Sequence, residues 1–161
     1  QLATAAGGRV FVMSSSDEKI ACAVDALGAE SGARYDRDDV AEAVRKWSGG
    51  EGVDVVIDST GAATYPLSLQ VLRKGGRLVT CGVTSGPNPV AELQTVYWKQ
   101  LSILGSTLGS IPEYRALLRF VEARKIRPLI DRAFPLDEAR AAEERFASGS
   151  QSGKIVLRVA A

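Results

Sequence analysis

Apolar positions along the chain fall into short continuous runs, separated by stretches in which they recur every three or four residues. RVFVMS, residues 9–14, is the first run. In the stretch after it, Ile20, Ala23, Val24 and Leu27 share one helical face, Ser15 and Glu18 have capping-box spacing, and Gly28 supplies the stop. A short strand at Ala33 to Tyr35 leads to a second helix striped by Val40, Ala43, Val44 and Trp47. Val53 to Ile57 is nearly all apolar, as in a strand buried on both faces of a parallel sheet. A helix from Pro66 is expected to end at Gly75 and Gly76 and to hand over to a strand at 77–82. SILGSTLG, 102–109, reads as a fifth strand, with a short helix near Glu92 to Lys99 before it. Ser110, Pro112 and Glu113 open a helix whose Tyr114, Leu117, Leu118 and Val121 share a face. IDRAFP, LDEARAAEERFASG and KIVLRV repeat strand, helix, strand a last time.

This alternation predicts an α/β fold, a doubly wound parallel sheet of the Rossmann kind with helices on both sides. Ligands of such sheets sit outside the carboxyl ends of the strands. The residues there are Ser14 to Ser16, Tyr35, Asp58 to Gly61, Cys81 to Thr84 and Ser106 to Gly109, mostly small and polar. Gly61, Gly82 and Gly109 either make strand-to-helix turns or let a flat ligand approach the backbone. Asp58 is better placed to cap the next turn than to take part in chemistry.

Composition narrows the partners. Twenty basic and nineteen acidic residues nearly cancel and form no long block, which argues against nucleic acid and a polybasic membrane anchor. A small-molecule substrate fits better. No apolar run approaches the roughly 20 residues of a membrane-spanning helix. The first residues lack the pattern of a signal peptide, so the expected location is cytoplasmic. Cys22 and Cys81 stand far apart, and without histidine the usual zinc spacings cannot be assembled, so no metal site is expected in these residues.

The ordered segments GGRVFVMSSSDEK, LGAESGARYDRDDVAEAVRKWSGGEGVDVVIDSTG, LRKGGRLVTCGVTSG, WKQLSILGSTLGS and SGKIVLRV resemble the cofactor-binding half of the medium-chain dehydrogenase/reductase superfamily, the zinc-type alcohol dehydrogenases and quinone oxidoreductases. The resemblance implies that QLATAAGGRV is the tail of the first Rossmann helix. The first strand and the glycine-rich loop would then lie upstream of Gln1. Residues 1–128 would be an incomplete dinucleotide-binding domain, and 129–161 would pack on a catalytic domain outside this chain. Zinc, if the parent uses it, would sit in that domain, and the catalytic residues would lie there too. The implied activity is hydride transfer between a nicotinamide cofactor and an alcohol, carbonyl, enone or quinone. The alternative is a non-catalytic Rossmann-type structural or scaffolding protein. No Tyr-x-x-x-Lys occurs, since Asp39, Leu69, Leu101 and Leu118 follow the four tyrosines at that spacing; this excludes the short-chain dehydrogenase mechanism.

An NAD site places a carboxylate near the end of the second Rossmann strand, for the ribose 2′-hydroxyl. Ser14, Ser15 and Ser16 occupy that place here. A carboxylate about 4 Å from a 2′-phosphate would be repelled by roughly 4 kcal/mol at an effective dielectric near 20, whereas hydroxyls donate to it. Lys19, one turn into the helix, is within reach of the same phosphate, and similar quinone oxidoreductases use residues matching Lys19 and Tyr35 there. These features favour NADP, with NAD as the alternative. For the serines the competing role is helix capping, and for Lys19 a solvated surface lysine. By resemblance, Val83 and Thr84, and Leu104, Gly105 and Ser106, line the nicotinamide and its ribose, and Lys154 contacts the cofactor phosphates. The resemblance also implies a homodimer paired through the edge strand near 103–108.

Overall fold

The computed structural model describes residues 1–159. Its elements are α1 (Leu2–Ala5), β1 (Phe11–Ser14), α2 (Asp17–Leu27), β2 (Ser31–Arg34), α3 (Val40–Trp47), β3 (Val53–Asp58), α4 (Tyr65–Val71) and β4 (Leu72–Thr80). They continue with α5 (Leu93–Trp98), β5 (Ser102–Gly105), α6 (Ile111–Ala123), β6 (Ile130–Pro135), α7 (Ala139–Ala147) and β7 (Lys154–Arg158). Every ladder is parallel, as strands joined through crossover helices require. The strands form three groups: β1 with β2, β4 between β3 and β5, and β6 with β7.

Local chemistry sets the element ends. Ser16 is the N-cap of α2, its hydroxyl accepting from the Lys19 backbone N–H at 3.2 Å. The cap therefore lies one residue beyond the Ser15 that the capping-box spacing points to, and Ser15 stays exposed. Gly28, at φ +85°, closes α2, and the N–H of Ala29 after it donates to the Ala23 carbonyl at 3.0 Å. The Ser110–Glu113 capping box forms as the spacing predicts.

The passage from α4 to β4 differs from expectation. The helix ends at Val71 and the strand begins at Leu72, well before Gly75 and Gly76. The cause is Lys99, whose ammonium donates to the carbonyls of Leu69, Gln70 and Leu72 at 3.2, 2.7 and 2.9 Å. A cation on the last carbonyls does the work usually left to a terminal glycine. The fifth strand is also shorter than expected, spanning Ser102–Gly105.

One hydrophobic core joins the first two groups of strands. Ala33, Val40 and Val44 come from β2 and α3, and meet Val56, Tyr65, Leu69, Leu72 and Leu78 from β3, α4 and β4. Leu69, Leu72 and Leu78 are almost wholly buried, each contributing about 1.5–3 kcal/mol. Among the described residues β1 and β3 share no ladder. The row formed by Ile57, Val79 and Leu104 is poorly covered, with Ile57 69% and Leu104 47% exposed. Tyr114, Leu117 and Leu118 of α6 are exposed as well. The apolar stripe of α6 thus has the predicted spacing but little apolar covering.

Candidate functional site

The carboxyl ends of β3, β4 and β5 bring together the second set of expected residues. Asp58 ends β3 and is only 5% exposed. It accepts the backbone N–H groups of Thr60 and Gly61 at 2.8 and 2.9 Å, and the hydroxyls of Thr64 and Ser68 at 2.9 and 2.8 Å. Burial pushes the Asp58 carboxyl up, but these donors together outweigh it and hold the group below the usual carboxylate range. An ionised, fully occupied Asp58 therefore shapes the turn into α4.

That turn is stitched to the loop after β4. Thr60 accepts from the N–H and hydroxyl of Ser85, Ala62 donates its N–H to Gly86, and Ser85 Oγ accepts from Ala63. The hydroxyl of Thr84 reaches the Ser59 carbonyl at 3.4 Å. The two loops are packed so closely that a Cβ on Gly61 would lie 2.6 Å from the Gly86 oxygen, and one on Gly82 2.8 Å from the Ser59 oxygen. At both glycines the close neighbour is the chain's own backbone. Gly105, by contrast, faces open space, Val83 and Leu104 are exposed, and the Ser106 N–H donates to the Thr80 carbonyl.

The first set gathers at the ends of β1 and β2. The Ser14 hydroxyl accepts the Ser16 N–H, and the Ser14 carbonyl accepts the Tyr35 N–H. Ser16 is occupied as a cap and by Glu18. Ser15 is exposed, and Tyr35 is 39% exposed. Two arginines not singled out in the sequence stand here. Arg37 grips Asp17 through both terminal nitrogens at 3.1 Å, and Arg34 reaches Asp17 at 3.3 Å and Asp36 at 2.6 Å. The Arg37 guanidinium, with help from Arg34, holds the Asp17 carboxyl below its usual range. The signal was legible as alternating charge in RYDRDD, directly after a strand.

Lys19 donates its ammonium to the carbonyl of Gly149 at 2.8 Å, which brings a distant loop against α2. That loop leads to Lys154, the exposed first residue of β7, whose backbone N–H donates to Leu129. A cleft of about 750 Å³ lined by Glu42, Arg45, Gly52, Arg73, Trp98 and Lys99 lies elsewhere, where β3 and β4 begin. Among the described residues no three His, Cys, Asp or Glu side chains form a metal-ligand cluster. Cys22 and Cys81 are free, and no helix among the described residues is long and apolar enough to cross a membrane.

Residues 1–123 match the family described as zinc-binding dehydrogenase. The chain is 33% identical over 164 residues to a zinc-type alcohol dehydrogenase-like protein of Schizosaccharomyces pombe, covering 99% of this chain and 47% of the relative. Among solved structures it resembles an NAD-dependent alcohol dehydrogenase, with 35% identity, a TM-score of 0.86, and coverage of 96% of this chain and 45% of that one. It also resembles the 2-octenoyl-CoA carboxylase reductase CinF in complex with NADP and 2-octenoyl-CoA. There the identity is 28%, the TM-score 0.86, and the coverage 97% of this chain and 39% of that one. The chain spans about half the length of the curated relatives it matches.

Proposed function

Because the chain belongs to the zinc-binding dehydrogenase family, we propose that it holds the cofactor of an oxidoreductase using NADP(H) in preference to NAD(H). The bound nicotinamide supplies the chemistry, accepting or giving a hydride against an alcohol, carbonyl, enone or quinone. The chain's own residues bind and orient. Ser15 and Lys19 hold the 2′-phosphate beside Tyr35, the backbone at Gly82–Thr84 and Leu104–Ser106 holds the nicotinamide end, and Lys154 contacts the phosphates. Gly61 serves the site by letting its two loops pack.

One observation carries the cofactor choice. At the end of β1, where an NAD site uses a carboxylate, Ser15 presents an exposed hydroxyl, and Asp17, two residues on, is paired with Arg37 and Arg34 while Glu18 is turned onto the Ser16 hydroxyl. The fit extends to Lys19, whose ammonium has three donors and spends one on Gly149. Among the described residues no side-chain cluster fits a zinc centre.

Residues 1–128 form the dinucleotide-binding unit in this reading, completed by a further strand between β1 and β3. Residues 129–161 belong with a catalytic domain in this reading; that β6 and β7 pair only with each other among the described residues supports this. The proposed assembly is a homodimer through β5. Free thiols at Cys22 and Cys81 fit a reducing, cytoplasmic setting. The test is kcat/KM with NADPH and with NADH in the full-length protein, before and after Lys19→Ala. NADPH is expected to be preferred, and the substitution to remove most of the preference; equal values in the unmutated protein overturn the reading.

A further inference from the structure

The Lys19 contact joins residues 130 positions apart, and its other side is a built loop. Residues 148–153 read SGSQSG. Arg145 forms the frame beneath them. Its guanidinium binds both oxygens of Asp131 at 2.9 and 2.8 Å, and its Nη1 donates to Ser150 Oγ at 2.9 Å. Asp131 also accepts the Ser152 N–H at 3.0 Å, and the hydroxyls of Ser148 and Ser150 lie 2.8 Å apart. Gly149 takes φ +65° at the tip, a conformation that β-branched residues rarely adopt. The Oε1 of Gln151 is buried without a hydrogen-bond partner among the described residues. The loop is thus anchored at its base, bent at Gly149, and joined to α2 by one charge-assisted hydrogen bond.

We propose that this loop is a wall of the 2′-phosphate site, and that Gly149 sets NADP(H) preference by positioning the Lys19 ammonium. The inference rests on the cofactor reading above. A lysine on a four-carbon stem is a flexible point charge, and fixing one of its donors on a carbonyl lowers the conformational cost of presenting the other two. When a 2′-phosphate accepts those donors, the ammonium bridges ligand and loop, and the loop becomes ordered against α2. A ribose 2′-hydroxyl carries no charge to complete the bridge and leaves the loop as it was.

The probes are adenosine 2′,5′-bisphosphate and 5′-AMP, titrated into the full-length protein and into its Lys19→Met and Gly149→Val variants, with amide hydrogen exchange followed across residues 148–153. The bisphosphate is expected to bind more tightly than 5′-AMP and to raise protection of the loop, while 5′-AMP leaves protection unchanged. Gly149→Val, which moves the carbonyl by forbidding its φ, is expected to lower the ratio of the two affinities about tenfold, the loss of one charge-assisted hydrogen bond. Lys19→Met is expected to abolish the protection. If the bisphosphate binds more tightly in a Lys19-dependent way but loop protection and the Gly149→Val ratio stay unchanged, the loop has no part in the site; the cofactor reading then stands and this inference falls. Equal affinity for the two probes overturns both.

Discussion

The hydroxyl of Ser68 donates to the Asp58 carboxylate at 2.8 Å, tying the second turn of α4 to the end of β3 in a fully buried contact. With Thr64 and the two backbone donors it leaves Asp58 no spare capacity. Asp58→Asn places an amide against these donors and removes the charge they were arranged to bind. The expected loss is about 2–4 kcal/mol, read as a lower denaturant midpoint. An unchanged midpoint would show that the network contributes nothing net.

Gly61 is expected to be intolerant for a separate reason. Its φ is +87°, and an added Cβ would press on the Gly86 oxygen and the Val83 backbone. Gly61→Ala combines strain of about 1–3 kcal/mol with displacement of the loop after β4. Thermal unfolding of the variant tests the first effect. A stability equal to that of the parent would contradict both the dihedral and the close approach.

The contrast between Asp58 and Lys99 shows what the sequence revealed and what it concealed. Asp58 follows an apolar run and precedes a polar turn, so its capping role could be read from neighbours within ten residues. Ser110 and Glu113 were legible in the same way, through a three-residue spacing. Lys99 acts on carbonyls about thirty residues away, and no local pattern announces it. The glycines at 75 and 76 therefore pointed to the wrong end for α4. The candidate site divides similarly: strand ends pointed to Ser14 to Ser16, Tyr35 and Gly82 to Thr84 as candidates, whereas the contact of Gly149 with Lys19 of α2 arises only from tertiary packing.

Lys99→Met is expected to destabilise the chain by about 1–2 kcal/mol, the lower part of the range for hydrogen bonds to a charged group, because the ammonium remains partly in water. The methionine keeps the stem and leaves three carbonyls without their donor. Helix α4 should fray first, so amide exchange at residues 68–71 should accelerate more than at β1. Uniform acceleration throughout would assign Lys99 a global role instead.

Acid should weaken the β6–α7–β7 segment in a defined window. The Arg145 hydrogen bonds, and then the Ser152 N–H, hold the Asp131 carboxyl at about 2, against 3.8 for the ordinary group. A depressed folded value means that the contribution is fully present above about pH 4 and is lost as pH falls through 2. Asp131→Asn should flatten this part of the stability profile while lowering stability at neutral pH. A wild-type profile that is level between pH 4 and 2 would contradict the shift.

Strand β5 lies at the edge of its group, with Ser102–Gly105 all exposed. Parallel pairing alternates the direction of successive backbone groups. Because Ser106 donates its N–H to Thr80 in β4, Leu104 faces the same way, and Ile103 and Gly105 turn their N–H and C=O outward. An apolar edge with free donors and acceptors is a template for another strand, and a second copy related by a two-fold axis would meet it antiparallel. Ile103→Pro removes one outward donor and leaves the bonds to β4 in place. It should convert the proposed dimer of the full-length protein into a monomer at tens of micromolar, by light scattering, without a comparable loss of helical signal. A dimer that survives the proline would place the contact elsewhere, and a monomeric parent protein at that concentration would remove the case for pairing through β5.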